Sequence, residues 1–121
     1  MAVITAAHVL LFSSDAEADR AFLRDVLGWP FERAGGPGDD WLIFRLPPAE
    51  VAVHPTEGEP TAQLHLMCDD LTATLAELAA HGVRPTAEPR DLGWGIFTTI
   101  PMPSGAELGL YEPRHRTAHQ L

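Results

Sequence analysis

The sequence contains no lysine, so all eight of its basic residues are arginines. Without a lysine amine, the chain cannot form a Schiff base with a substrate or supply the lysine of a phosphate-binding P-loop. Positive charge is scarce altogether, because 17 acidic residues give a formal net charge of -9 at pH 7. An acidic surface repels a phosphate backbone. We therefore expect no nucleic-acid partner.

Cysteine and long apolar runs are also scarce. Cys68 is the only cysteine, which excludes an intrachain disulfide and a thiolate zinc cluster. No catalytic triad can be assigned around it, so we expect an inert thiol. No run approaches the roughly 18 apolar residues of a membrane span, and residues 1–5 show no features of a secretory leader. These absences predict a cytoplasmic protein that does not enter a membrane.

The composition is that of one globular domain. The chain has 121 residues, of which 45% are hydrophobic and 21% are charged, and this suits a single domain over residues 1–121. Any ligand site must therefore lie within one small fold or be shared between copies of the chain.

The first half reads as strand, helix and strands. Residues 6–12 are apolar and predict a buried strand. Ser14 can cap a helix, with Glu17 completing a capping box, and Gly28 is a suitable stop. Residues 41–46 and 50–54 predict two further strands.

The second half repeats this order. Residues 63–68 predict a strand, and a helix is expected from Asp69 and Asp70 to Gly82. Residues 94–97 and 107–111 predict later strands. His8 and His65 stand at the same separation as Glu50 and Glu107, and residues 48–53 resemble residues 105–110.

This internal repeat predicts an α+β fold made of two βαβββ modules, about residues 1–57 and 61–113. We expect a pseudo-twofold axis between the modules, sheets that enclose one cleft, and helices outside. Residues 114–121 form a short polar tail that we expect to be frayed.

The closing strand of each module has a polar face and an apolar face. In residues 107–111, Glu107 and Tyr111 alternate with Leu108 and Leu110. The apolar face should meet the helices, and the polar face should line the cleft, because polar groups under a helix are costly to desolvate. The predicted ligand-binding residues are His8, Trp41, Glu50, His65, Trp94, Glu107 and Tyr111.

More than one role suits these residues. Two histidines and two carboxylates could bind a divalent metal, hold a polar ligand without metal, or make ordinary hydrogen bonds. Trp41 and Trp94, at equivalent positions of the repeat, could stack on a flat or cationic ligand or could pack in the core.

Three segments resemble the vicinal oxygen chelate superfamily: His-Val-Leu at residues 8–10, Leu-Gly-Trp at residues 27–29, and the closing segment at residues 105–113. This superfamily includes glyoxalase I, extradiol dioxygenases, fosfomycin-resistance thiol transferases and bleomycin-resistance binding proteins. The resemblance implies paired βαβββ modules over nearly the whole chain, and it suggests a homodimer.

The resemblance also implies where a metal would bind, on the first and last strands of each module. His8 and His65 match the first-strand positions, but the last-strand positions fall on Ala52 and Gly109, which carry no ligand group. We therefore expect a protein that binds a small organic molecule without a metal. The alternative is a lyase, dioxygenase or thiol transferase with a divalent metal at His8, His65 and Glu107, and no catalytic residue is assigned.

Overall fold

A computed structural model describes residues 6–38 and 40–121. The prediction drawn from residues 1–5 therefore lies outside the described residues. The fold is α+β, as expected, with two helices and two sheets in the described part of the chain. The elements are α1 (Ala16–Asp25), β1 (Phe31–Arg33), β2 (Leu42–Phe44), β3 (His65–Met67), α2 (Leu71–Ala80), β4 (Arg90–Asp91), β5 (Gly95–Pro101) and β6 (Glu107–Pro113).

Both helices begin at an aspartate. The Asp15 carboxylate accepts a hydrogen bond from the Ala18 amide at 3.2 Å, so the predicted cap at Ser14 is wrong by one residue. Asp70 caps α2 through the Ala73 amide at 3.0 Å, as predicted. Gly82 follows the end of α2 with φ of 78°, a left-handed conformation that favours glycine. Neither helix of the described residues is long and apolar enough to cross a membrane.

The second half forms a four-stranded sheet in the order β3-β6-β5-β4. β3 pairs parallel to β6, and the other neighbours are antiparallel. Because α2 lies between β3 and β4 in the chain, this half has the expected βαβββ order. The short strand β4 is not among the strands that the sequence pattern predicts.

The first half is less regular. β1 and β2 form a two-stranded antiparallel sheet, but residues 6–12 and 50–54 adopt no regular secondary structure. The predicted strands there are wrong for this structure. A strand needs a neighbour for its backbone N–H and C=O groups, and no described strand pairs with these segments. Their apolar side chains are exposed, with Phe12 at 90% and Val53 at 95%.

The core lies between the two helices and one face of the four-stranded sheet. Leu108 and Leu110 of β6 point into it, which confirms the predicted apolar face of that strand. Asp19 of α1 is buried and accepts hydrogen bonds from the Ser104 amide at 3.0 Å and the Ser104 hydroxyl at 2.7 Å. The buried core residues are Phe22, Leu23, Leu71, Leu78, Ile100, Met102, Leu108 and Leu110.

Candidate ligand-binding site

Four rings gather on the sheet face that points away from the core. The strand register places Phe97 opposite Tyr111, and His65 opposite Gly109. The His65 ring centroid lies 5.2 Å from that of Phe97 and 6.2 Å from that of Tyr111, and the Trp94 centroid lies 5.7 Å and 5.1 Å from the same two rings. These spacings and tilts are those of favourable aromatic pairs. We call His65, Trp94, Phe97 and Tyr111 the aromatic face.

Two glycines make room for these rings. A Cβ atom at Gly109 would lie 2.8 Å from Cγ of His65, and one at Gly95 would lie 2.8 Å from Cδ2 of Tyr111. Both distances are too short for a real side chain. The imidazole of His65 therefore occupies the space that a larger residue at Gly109 would need.

Burial favours the uncharged forms of the two titratable rings of the aromatic face. Partial burial, together with His54 nearby, lowers the pKa of His65 below its ordinary value. Burial and the Glu50 carboxylate raise the pKa of Tyr111. Tyr111 is nearly buried at 6% exposure, whereas Trp94 is 40% exposed. The face thus offers partly exposed neutral rings to a ligand.

Glu107 lies on the same face, two residues before Gly109 on β6. Its Oε2 accepts hydrogen bonds from the hydroxyls of Thr86 at 2.7 Å and Thr99 at 2.9 Å. These two bonds lower the pKa of Glu107, because they favour the ionised carboxylate. The sheet therefore presents one fixed negative charge beside the rings.

The C-terminal tail contacts both Glu50 and Tyr111. The Tyr111 hydroxyl lies 3.0 Å from Nε2 of His115, and Glu50 Oε1 accepts hydrogen bonds from the amides of Ala118 at 2.8 Å and His119 at 3.2 Å. The prediction of a frayed tail is therefore wrong. The sequence pattern carried no signal for His115, because its contact depends on how the chain turns after β6.

The other predicted residues lie elsewhere. His8 is exposed in an irregular segment, and the described residues show no hydrogen bond or ring contact between His8 and the aromatic face. Trp41 is 63% exposed and lies under the Arg20 guanidinium, with 5.4 Å between Cζ and the ring centroid. The structure thus groups His65, Trp94 and Tyr111. It adds Phe97 and His115, which the sequence pattern did not single out.

The described side chains do not fit a metal centre. No three histidine, cysteine, aspartate or glutamate residues of the described ranges are grouped closely enough to hold a metal ion. In the alternative donor set of His8, His65 and Glu107, one carboxylate oxygen of Glu107 is already held by two threonine hydroxyls. Gly109 and Ala52 supply no donor in their place.

Comparisons with known proteins agree on the family. The family model of the Glyoxalase/Bleomycin resistance protein/Dioxygenase superfamily matches residues 5–113. The chain is similar to the crystal structure of TnmS3, an antibiotic-binding protein from Streptomyces sp. CB03234, with 28% identity, 91% of this chain and 98% of that chain covered, and a TM-score of 0.62.

Two further solved structures show the same similarity. A glyoxalase/bleomycin resistance protein from the same Streptomyces strain is 24% identical, with 83% of this chain and 93% of that chain covered and a TM-score of 0.51. A glyoxalase/bleomycin resistance protein/dioxygenase from Nocardioides is 18% identical, covering 100% of this chain and 91% of that chain, with a TM-score of 0.61. No curated protein matches. The chain belongs to the Glyoxalase/Bleomycin resistance protein/Dioxygenase superfamily.

Proposed function

We propose that the protein binds a small organic molecule with a flat aromatic portion, and that it does so without a metal ion. One observation carries this proposal: Trp94 is 40% exposed on a face built from neutral rings. Stacking on such rings contributes about 0.5–1.5 kcal/mol per pair beyond the area buried. The similarity to TnmS3, an antibiotic-binding protein, supports antibiotic-like ligands.

In this proposal Glu107 selects for ligands that carry a hydrogen-bond donor. Its second carboxylate oxygen, Oε1, accepts no hydrogen bond in the described part of the chain, whereas Oε2 accepts two. An ionised acceptor beside the rings favours ligands that carry an N–H or O–H donor near the aromatic portion. The side chains gathered here suit binding better than metal-dependent catalysis, because the donor set for a metal is incomplete.

In this proposal the first half supplies the other wall of the cleft that the sequence repeat predicts. Residues 8–12 and 50–54 carry the sequence pattern of β3 and β6, and Val51 and Val53 are 91% and 95% exposed. We propose that these segments pair as strands when the ligand binds or when two copies form a homodimer. The two modules would then be related by the pseudo-twofold axis that the repeat predicts.

Isothermal titration calorimetry with two probes, doxorubicin as a flat aromatic molecule and bleomycin, tests this function. We expect Trp94→Ala to weaken binding of doxorubicin by about 2- to 12-fold, because a stacking partner is lost. Trp41→Ala is the matched control, since Trp41 is also exposed but contacts Arg20.

Treatment with EDTA should leave both affinities unchanged. The proposed function would be contradicted if neither probe binds the wild-type protein, or if both tryptophan variants lose affinity equally. Binding that disappears with EDTA and returns with a divalent metal would contradict the metal-free site.

A further inference from the structure

The tail links two residues that the sequence pattern assigned to ligand binding from opposite halves of the chain. It leaves β6 through a hydrogen bond from the Arg114 amide to the Trp94 carbonyl at 2.8 Å. Further along the tail, His115 contacts Tyr111. The amides of Ala118 and His119 contact Glu50. We call residues 114–121 the tail strap.

His115 contacts Tyr111 both through its imidazole ring and through Nε2. The two ring centroids are 5.8 Å apart at an interplanar angle of 32°, the most nearly parallel of the ring contacts around Tyr111 in the described chain. Nδ1 of His115 lies 2.7 Å from the Arg116 carbonyl oxygen. A carbonyl oxygen only accepts, so Nδ1 carries the proton, and in the neutral ring Nε2 is an acceptor. In this neutral form the Tyr111 hydroxyl donates to Nε2 of His115.

Glu50 receives two N–H donors from the strap. Its Oε1 accepts from the consecutive amides of Ala118 and His119. Burial raises the pKa of Glu50, but these two bonds together with the nearby His115 and His119 side chains lower it below its ordinary value. Glu50 itself lies in a segment without regular secondary structure. Its carboxylate is thus satisfied by backbone groups that a ligand's N–H groups can replace.

We propose that the tail strap occupies a ligand subsite between Glu50 and Tyr111 and leaves it when the ligand binds. The contacts of the strap indicate what this subsite recognises. The Tyr111 hydroxyl would donate to an acceptor nitrogen of a heteroaromatic ring, and the Glu50 carboxylate would accept from amide or amine N–H groups. This inference rests on the proposed function and narrows its ligand class to basic or amide-bearing heteroaromatic molecules.

Few contacts hold the tail strap against the rest of the described chain. None of its side chains belongs to the hydrophobic core of the described residues. Beyond Arg114, the contacts shown between the strap and the rest of the described chain are those to Tyr111 and Glu50. Two hydrogen-bonded anchors exchange more readily than an apolar segment buried in a core.

The test uses the full-length protein and histidinamide, which carries an imidazole ring and N–H donors. His115→Ala removes the anchor to Tyr111, and Ala118→Pro removes the shorter amide bond to Glu50. Each variant should bind histidinamide about three- to tenfold more tightly than the wild type, because one competing hydrogen bond is lost. Gln120→Ala is the matched control, since the hydrogen bond shown for its side chain is to Thr117 within the strap, and the affinity of this variant should match that of the wild type.

Amide hydrogen exchange supplies an independent readout. In the wild type, the Ala118 and His119 amides should lose protection as histidinamide is added. Weaker binding by His115→Ala, or a gain of amide protection, would show that the strap is a wall of the bound state and would overturn the inference. Histidinamide that binds none of the variants would also overturn it. Doxorubicin binding that still depends on Trp94 would leave the proposed function standing in either case.

Discussion

The two halves of the chain carry the same sequence pattern, yet only the second half forms the complete βαβββ unit. In β6, Leu108 is 2% exposed and Leu110 is 3% exposed. The equivalent residues of the first half, Val51 and Val53, are 91% and 95% exposed. Alternating apolar residues therefore mark a segment that can be a strand, but the strand forms only where a neighbouring strand and a covering helix are present.

The position of α1 accounts for this difference. Phe22 and Leu23 of α1 lie in the same core as Leu108, and Asp19 binds the turn between β5 and β6 through Ser104. The helix of the first half thus buries its apolar face against the sheet of the second half. With its own helix engaged there, the first half has no apolar layer to cover residues 50–54.

The largest expected effect comes from shortening equivalent residues in the two halves. Leu108→Ala should lower the free energy of unfolding by about 2–5 kcal/mol, because it leaves a cavity in the core. Val51→Ala should change it by less than about 0.5 kcal/mol, since Val51 is exposed. Urea unfolding of both variants measures the contrast. A cost of Val51→Ala close to that of Leu108→Ala would show that residues 50–54 form a buried strand in solution.

Local signals predicted the second half well. The caps of α2 at Asp70 and Gly82, and the apolar face of β6, follow from short-range chemistry that the sequence displays directly. The family resemblance was correct, as the match over residues 5–113 shows.

The errors depend on long-range contacts. Whether residues 8–12 and 50–54 pair as strands depends on where α1 packs, and this is not encoded in their own alternation. The same holds for the contact between His115 and Tyr111, which is set by the path of the chain after β6. The sequence pattern singles out His65, Trp94 and Tyr111, but it misses Phe97 on β5 and His115 in the tail, whose contacts depend on strand register and on the path of the chain.

The second expected effect concerns Gly109, whose equivalent in the first half is Ala52. Gly109→Ala should lower the free energy of unfolding by about 1–3 kcal/mol, because the new Cβ atom overlaps the His65 ring. The reverse change, Ala52→Gly, should cost less than about 1 kcal/mol, through chain entropy alone. Urea unfolding compares the two, and the His65 ring resonances report whether the imidazole moves. A Gly109→Ala variant as stable as the wild type, with unshifted His65 resonances, would contradict the close packing.

The smallest expected effect is a dependence of stability on pH that originates in the second half. Burial and His54 lower the pKa of His65 in the folded protein, so the unfolded chain binds a proton at this residue more readily than the folded chain does. The stabilisation is therefore complete above the unfolded-state pKa of 6.5, and it is lost as the pH falls from there through the lower folded-state pKa. Urea midpoints between about pH 7.5 and pH 5.5 should fall more steeply for the wild type than for His65→Asn. Protonation of Glu107 also lowers stability in acid, since its folded-state pKa is lowered. Glu107 is present in both proteins, so its contribution cancels when their slopes are compared. Equal slopes would mean that the imidazole is solvated rather than packed on Gly109, and the second half would then lack the close ring packing that separates it from the first.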